Sequence, residues 1–196
     1  MKPFSQACEN NKGYIAEVLR DAFSARQVVL EIGSGTGQHI TYFARCLPAT
    51  YWIPSDIPES LGNLLAGLHG DAPENLAAPL ALDVTRQPWP IGPVDGVFSA
   101  NTLHIMPIEA VEQFFTGVKQ VIKSGGKLCV YGPFRYQGQF TSESNARFDE
   151  WLKQRHQESG VRDIEQILAW AEGAGLTLLR DHAMPANNQL LEWVCT

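Results

Sequence analysis

The stretch Val28-Val29-Leu30-Glu31-Ile32-Gly33-Ser34-Gly35-Thr36-Gly37-Gln38-His39 decides the fold. Aliphatic residues run up to an acid, and three glycines then alternate with small hydroxyl residues. That order predicts a buried strand, a tight turn and the start of a helix. Glycines let the backbone take positive φ and leave room for a ligand to lie on the main chain. Open α/β sheets hold nucleotide-like ligands in this way, at the carboxyl ends of their strands.

What the stretch lacks narrows the ligand. The dinucleotide fingerprint G-x-G-x-x-G needs a third glycine where Gln38 stands, which disfavours an NAD-dependent oxidoreductase. No Lys-Ser or Lys-Thr follows the loop, so the phosphate-binding Walker pattern fails too. An acid at the strand's end, Glu31, suits a ligand carrying a cationic ammonium or sulfonium and suits a pyrophosphate poorly. A glycine-rich turn that binds nothing remains the plainer alternative.

The 196 residues fit one domain with a sizeable core. A net charge of −6 and the lack of any basic run argue against nucleic acid as a partner. Cys8, Cys46, Cys129 and Cys195 are scattered without CxxC spacing, which suggests neither a metal site nor a disulfide framework. They read as reduced, cytoplasmic cysteines. The N-terminus shows no long apolar segment, so neither a signal peptide nor a membrane span is expected.

Residues 1–12 read as a polar arm. Alternating strand and helix patterns follow: strands over 27–32, 51–55, 80–84, 94–100, 127–131, 177–183 and 189–194, with amphipathic helices between most of them. The helix over 108–122 is read as closed by Ser124-Gly125-Gly126. Three strands end in polar residues. Asp56, roughly 20 residues past the glycines, sits where an acid meets a ribose, or else caps a helix. Asp83 with Val84 ends the third strand, and Asn101 the fourth. His104 follows at the place where a cofactor's reactive end is expected. Trp89 is a loop aromatic that either covers a purine or packs. The loop over 132–138 is either a lid or a connector. Asp163 with Gln166 resembles a capping box, leaving Arg162 free to grip a carboxylate or phosphate.

Taken together, Glu31-x-Gly33-x-Gly35-x-Gly37, Asp56, Asp83, Asn101 and a final antiparallel hairpin resemble the class I S-adenosylmethionine (SAM) methyltransferases. Further motifs make the resemblance closer to one uncharacterised family, domain of unknown function 938, which includes methyltransferase-like protein 26. They are Pro54-Ser55-Asp56, Asn101-Thr102-Leu103-His104-Ile105, Tyr131-Gly132-Pro133-Phe134, Thr141-Ser142-Glu143-Ser144-Asn145, Phe148-Asp149, Gly160-Val161-Arg162-Asp163 and Pro185-Ala186-Asn187-Asn188. The match runs nearly end to end. It departs from the family's Glu-Arg-Asn pattern at Glu9-Asn10-Asn11, where the arginine is missing.

The resemblance implies a single Rossmann-like α/β domain over 1–196. Its seven-stranded, mostly parallel sheet would end in a C-terminal antiparallel hairpin and carry helices on both faces. SAM would be the cofactor and S-adenosylhomocysteine (SAH) its product. Glu31, Gly33, Ser34, Gly35, Gly37, Asp56, Asp83, Val84 and Asn101 would hold them. His104 would be the base and Tyr131 a hydrogen-bond donor to the acceptor. Asn11, Phe134, Asn145, Arg162 and Asn187 would surround a small polar or carboxylate-bearing molecule. A protein that binds SAM or SAH without chemistry is the other reading.

Overall fold

The computed structural model describes residues 3–23, 27–70 and 72–196. Met1 and Lys2 of the expected arm lie outside the described residues. Helix α1 (Gln6–Ala22) begins where Ser5 Oγ accepts from Cys8 N. Most of the stretch expected as an arm is thus helical, with Glu9 and Lys12 paired across a turn. Then follow β1 (Val28–Ile32), α2 (Gln38–Cys46), β2 (Tyr51–Asp56), α3 (Leu61–Leu68), β3 (Leu80–Ala81), β4 (Val94–Ala100) and α4 (Ile108–Val121). The second half contains β5 (Ile122–Gly132), β6 (Phe134–Tyr136), β7 (Gln139–Phe140), α5 (Glu143–Arg155), β8 (Arg162–Asp163), α6 (Ile164–Gly173), β9 (Leu176–Met184) and β10 (Asn188–Cys195).

Seven strands form the main sheet in the order β3-β2-β1-β4-β5-β10-β9. The first five are parallel, and β10 runs antiparallel to both β5 and β9. The expected sheet and hairpin are present. Strand period two divides the core. Leu30, Val97 and Leu128 face α4 and α6, whereas Val29, Phe98 and Cys129 face α1 and α2. The chain leaves β1 toward β2 on one side and returns to β4 on the other. A crevice therefore opens at the carboxyl ends of β1 and β4.

Two local expectations change. Ser124-Gly125-Gly126 does not stop a helix in coil; it lies inside β5, where Ile122 pairs with Val94 and the register then shifts. Gly125, at φ +76°, absorbs the irregularity. The loop over 132–138 is neither lid nor plain connector. Its middle is β6, paired antiparallel with β7 and parallel with β8 in a small second sheet. Among the described residues, no helix is long and apolar enough to cross a membrane.

Trp89 packs rather than facing a ligand. Its ring lies edge-on to Phe114, and its Nε1 donates to Val84 O at 3.3 Å. It lies against Gly117 of α4, where an added Cβ would stand 2.0 Å from the ring. Alanine normally stabilises a helix interior over glycine by about 1 kcal/mol. At Gly117 the clash outweighs that gain, so Gly117→Ala is expected to destabilise by about 1–3 kcal/mol. Gly62→Ala on α3, where a Cβ meets open space, should be neutral or stabilising. Urea unfolding of both variants checks this, and equal midpoints would contradict the packing.

Candidate functional site

Three glycines turn the chain from β1 into α2, for two different reasons. All three have positive φ: +76° at Gly33, +56° at Gly35 and +73° at Gly37. A Cβ on Gly33 would stand 2.8 Å from Thr102 after β4, and one on Gly37 would stand 2.9 Å from Leu68 of α3. A Cβ on Gly35 would meet nothing within 4 Å. The first and third glycines allow close packing, while the second borders open space. The turn is pinned to β2. Gly33 N and Ser34 N both donate to Ser55 O, and Ser55 N donates to Ser34 Oγ at 3.1 Å.

Glu31 lies under this turn with 2% of its surface exposed. Burial pushes its carboxyl up to about 8, a hydrogen bond from Ser34 opposes the rise, and the charge of Asp56 adds to it. Its Oε2 has no hydrogen-bond partner among the described residues. A buried orphan acceptor on a carboxylate is a costly arrangement. Asp56, at the end of β2, accepts from Gly35 N at 2.7 Å and from Ile57 N at 2.9 Å. Each of its oxygens keeps acceptor capacity for a ligand hydroxyl. Glu31, Gly33, Ser34, Gly35 and Asp56 thus form one bonded unit.

The remaining expected cofactor residues stand further off. Asp83 bonds Thr85 through both backbone and side chain and pairs with Arg86 at 3.2 Å. Chiefly the Thr85 hydroxyl holds its carboxyl below the usual range. Val84 is buried in the core, its carbonyl taken by Gln87 and Trp89. Asn101 takes φ +57°, and its N–H donates to Tyr131 O at 2.9 Å, linking the ends of β4 and β5.

Neutral polar groups occupy the other side of the crevice. His104 is 5% exposed and packs edge-on against Phe148 of α5. Burial first, and the Arg162 charge second, push its imidazole down to about 4. Burial thus keeps the ring neutral at pH values where an ordinary histidine takes up a proton. Tyr131 is buried too, and its phenol is raised by that burial while Asn11 and Asn188 hydrogen-bond it. Asn11 Oδ1 also meets His39 Nε2 at 2.7 Å. Asn145 Nδ2 donates to Thr141 Oγ1 and to Asn187 O, both at 2.9 Å, fixing the exposed turn before β10.

Two expected acceptor-site residues have other work. Phe134 is buried in the core beside Arg162 and Asp163 of β8. Arg162 is not free: its Nε donates to Leu103 O at 3.0 Å, and its Nη2 donates to Met106 O and Glu158 O. Asp163 sits at the N-cap of α6 but makes no cap bond, because its carboxylate pairs with Arg135.

His39, Gln38 and Asn188 were missing from the expected site. His39 is buried, stacks on Phe43 and is pushed down to about 4 by burial. The i, i+4 spacing of His39 and Phe43 on the inward face of α2 could have shown it. Gln38 ties α1 to α2: its Oε1 accepts from Ser5 N, and its Nε2 donates to Ser5 O. That contact holds the start of α1 against the start of α2.

The fold is shared with solved methyltransferases. One is an O-methyltransferase family 2 protein from Planctomyces limnophilus in complex with apigenin, at TM-score 0.82 and 19% identity. The match covers 95% of this chain and 57% of that one. An O-methyltransferase family protein from Burkholderia thailandensis matches at TM-score 0.82 and 15% identity, over 94% and 56%. CalO1, a methyltransferase in calicheamicin biosynthesis solved with SAH bound, matches at 0.72 and 17%, over 93% and 54%. This chain therefore spans little more than half the length of the structures it matches. Sequence gives a nearer kinship: the family described as protein of unknown function (DUF938) matches residues 2–194, and the chain belongs to that family.

Proposed function

We propose that this protein is a SAM-dependent methyltransferase acting on a small polar molecule by in-line methyl transfer. The finer resemblance to methyltransferase-like protein 26 belongs to this reading, as does a single catalytic domain. Four cysteines without disulfides suit a cytoplasmic setting.

One observation carries the proposal: the buried Glu31 carboxyl, with an orphaned Oε2, beneath a glycine turn whose middle glycine faces open space. A cationic ligand satisfies both features at once. Glu31 would hold the ammonium of the cofactor, and Asp56 would accept from ribose hydroxyls. Gln38, standing where the dinucleotide fingerprint needs a third glycine, disfavours a dinucleotide. The cofactor supplies a methyl group already activated on a sulfonium. The chain's task is then alignment and exclusion of water.

The acceptor side supports a molecule recognised without charge. Lys12 pairs with Glu9, Arg86 with Asp83, Arg135 with Asp163 and Arg147 with Glu143, and Arg162 serves backbone carbonyls. Amides of Asn11, Asn101 and Asn145, the phenol of Tyr131 and the neutral imidazole of His104 remain. This set favours an uncharged polar acceptor over a carboxylate-bearing one.

Glu31→Gln tests the cation site. The glutamate is expected to be protonated in the free protein and charged when unfolded between about pH 4.5 and 8, so its stability contribution falls as pH rises through that window. Replacement by Gln should raise thermal stability at pH 8 while weakening SAM binding at least about tenfold, the cost of a charged hydrogen bond. Lower stability with unchanged affinity would sink the assignment.

His104 gives a second test once turnover is found on a metabolite panel. His104→Ala should leave SAM affinity within about twofold and slow turnover by about 10²-fold. The neutral imidazole is the working form, so wild-type turnover should stay level near neutrality and fall as pH drops through about 4. A limb near 6.5, or an unimpaired variant, contradicts the role.

A further inference from the structure

The segment over 158–163, between α5 and α6, takes four consecutive backbone carbonyls of the loop that follows β4. Arg162 Nε donates to Leu103 O at 3.0 Å, and Gly160 N donates to His104 O at 2.9 Å. Ser159 Oγ donates to Ile105 O at 2.7 Å, and Arg162 Nη2 donates to Met106 O. The same Nη2 reaches Glu158 O at 3.0 Å, which closes the segment on itself.

Helix α5 backs this clamp. Asp149 is 3% exposed, accepts from Val161 N at 2.8 Å and pairs with Lys153 at 2.6 Å. A Cβ on Gly160 would stand 2.8 Å from Asp149 Oδ1, so the approach needs a residue without one. One turn of α5 therefore serves His104 twice. Phe148 packs against its ring, and Asp149 fixes the segment that binds its backbone.

A loop outside regular structure would ordinarily leave such carbonyls to water. Taking all four with one segment removes most of the loop's freedom. We infer that Arg162 is a positioning residue: through the carbonyl clamp it fixes where the His104 ring stands at the end of β4. It is not a grip for a substrate anion. The consequence for turnover rests on the methyltransferase reading, whereas the clamp itself does not. Burial and the Arg162 cation act on His104, and Arg162 in turn feels Asp149, Glu109 and Arg135.

The test compares wild type with Arg162→Gln and Arg162→Lys by NMR and calorimetry. In Arg162→Gln the Gly160 amide should exchange with solvent at least about tenfold faster, since its acceptor is carried by the freed loop. The His104 titration should move up from about 4 toward the ordinary histidine value, and should do so in Arg162→Lys as well, where the retained cation leaves only solvent reaching the ring to raise it. SAH affinity should stay within about twofold. Arg162→Lys, which keeps the charge but loses the fork, should fall between, and it carries the test if the glutamine variant fails to fold.

Unchanged Gly160 exchange and His104 titration overturn the inference. So does acetate binding to the wild type that disappears in Arg162→Gln, because Arg162 would then be a ligand residue. A wild type that does not bind SAH removes the methyltransferase reading and leaves the exchange and titration readouts intact.

Discussion

The arrangement depends on a carboxyl group placed where it is poorly solvated. Glu31 lies near the end of β1 under the glycine turn, with one oxygen lacking a partner among the described residues. Burying an ionisable group this way costs several kcal/mol unless a counter-charge arrives or the group takes up a proton. Its surroundings hold it in place without neutralising it. Ser55 binds its backbone carbonyl at 2.6 Å, Ser34 caps the turn above it, and the nearby Asp56 adds repulsion rather than relief. Stability is given up at one point of the fold, and the proposed cationic cofactor is what would recover it.

The far side of the crevice is held by a different device. β4 and β5 end in a crevice whose walls come from far along the chain, and α5 joins them. Its inward face carries Asn145 toward the turn before β10, Phe148 toward His104 and Asp149 toward the clamp. The small sheet of β6, β7 and β8 supports that helix from below. An N-terminal helix covers the other flank, with Asn11 bridging His39 and Tyr131. Neutral amides, a phenol and two uncharged imidazoles result, the groups that the proposed uncharged acceptor would meet.

Much of this was legible in the sequence because it is local. The glycine turn, the alternation of strands and helices, and the acids at strand ends follow from period and turn chemistry within a dozen residues. The seven-stranded, mostly parallel sheet with helices on both faces followed from the family resemblance, to which the final hairpin contributed, whereas the order of the strands came from the structure. What was not legible depends on residues distant in sequence. Arg162 looked free because two of its three carbonyl partners, Leu103 and Met106, lie more than fifty residues away. Asp163 looked like a cap because Arg135 could not be placed beside it. Gly125 looked like a helix stop, yet pairing with β4 carries the strand through it. His39 was not legible as a site residue because its partner Asn11 lies on another helix, 28 residues earlier in the chain.

The most direct measurement is calorimetry of the wild-type protein with SAM and, separately, with NAD, between about pH 6 and 8. If Glu31 receives a cationic cofactor, SAM binds with net release of a proton. Its affinity then tightens as pH rises toward 8, because the free protein holds that proton more firmly than the complex. NAD should give no comparable binding. NAD binding as well as SAM, or SAM affinity that is level or weaker at higher pH, would contradict the account.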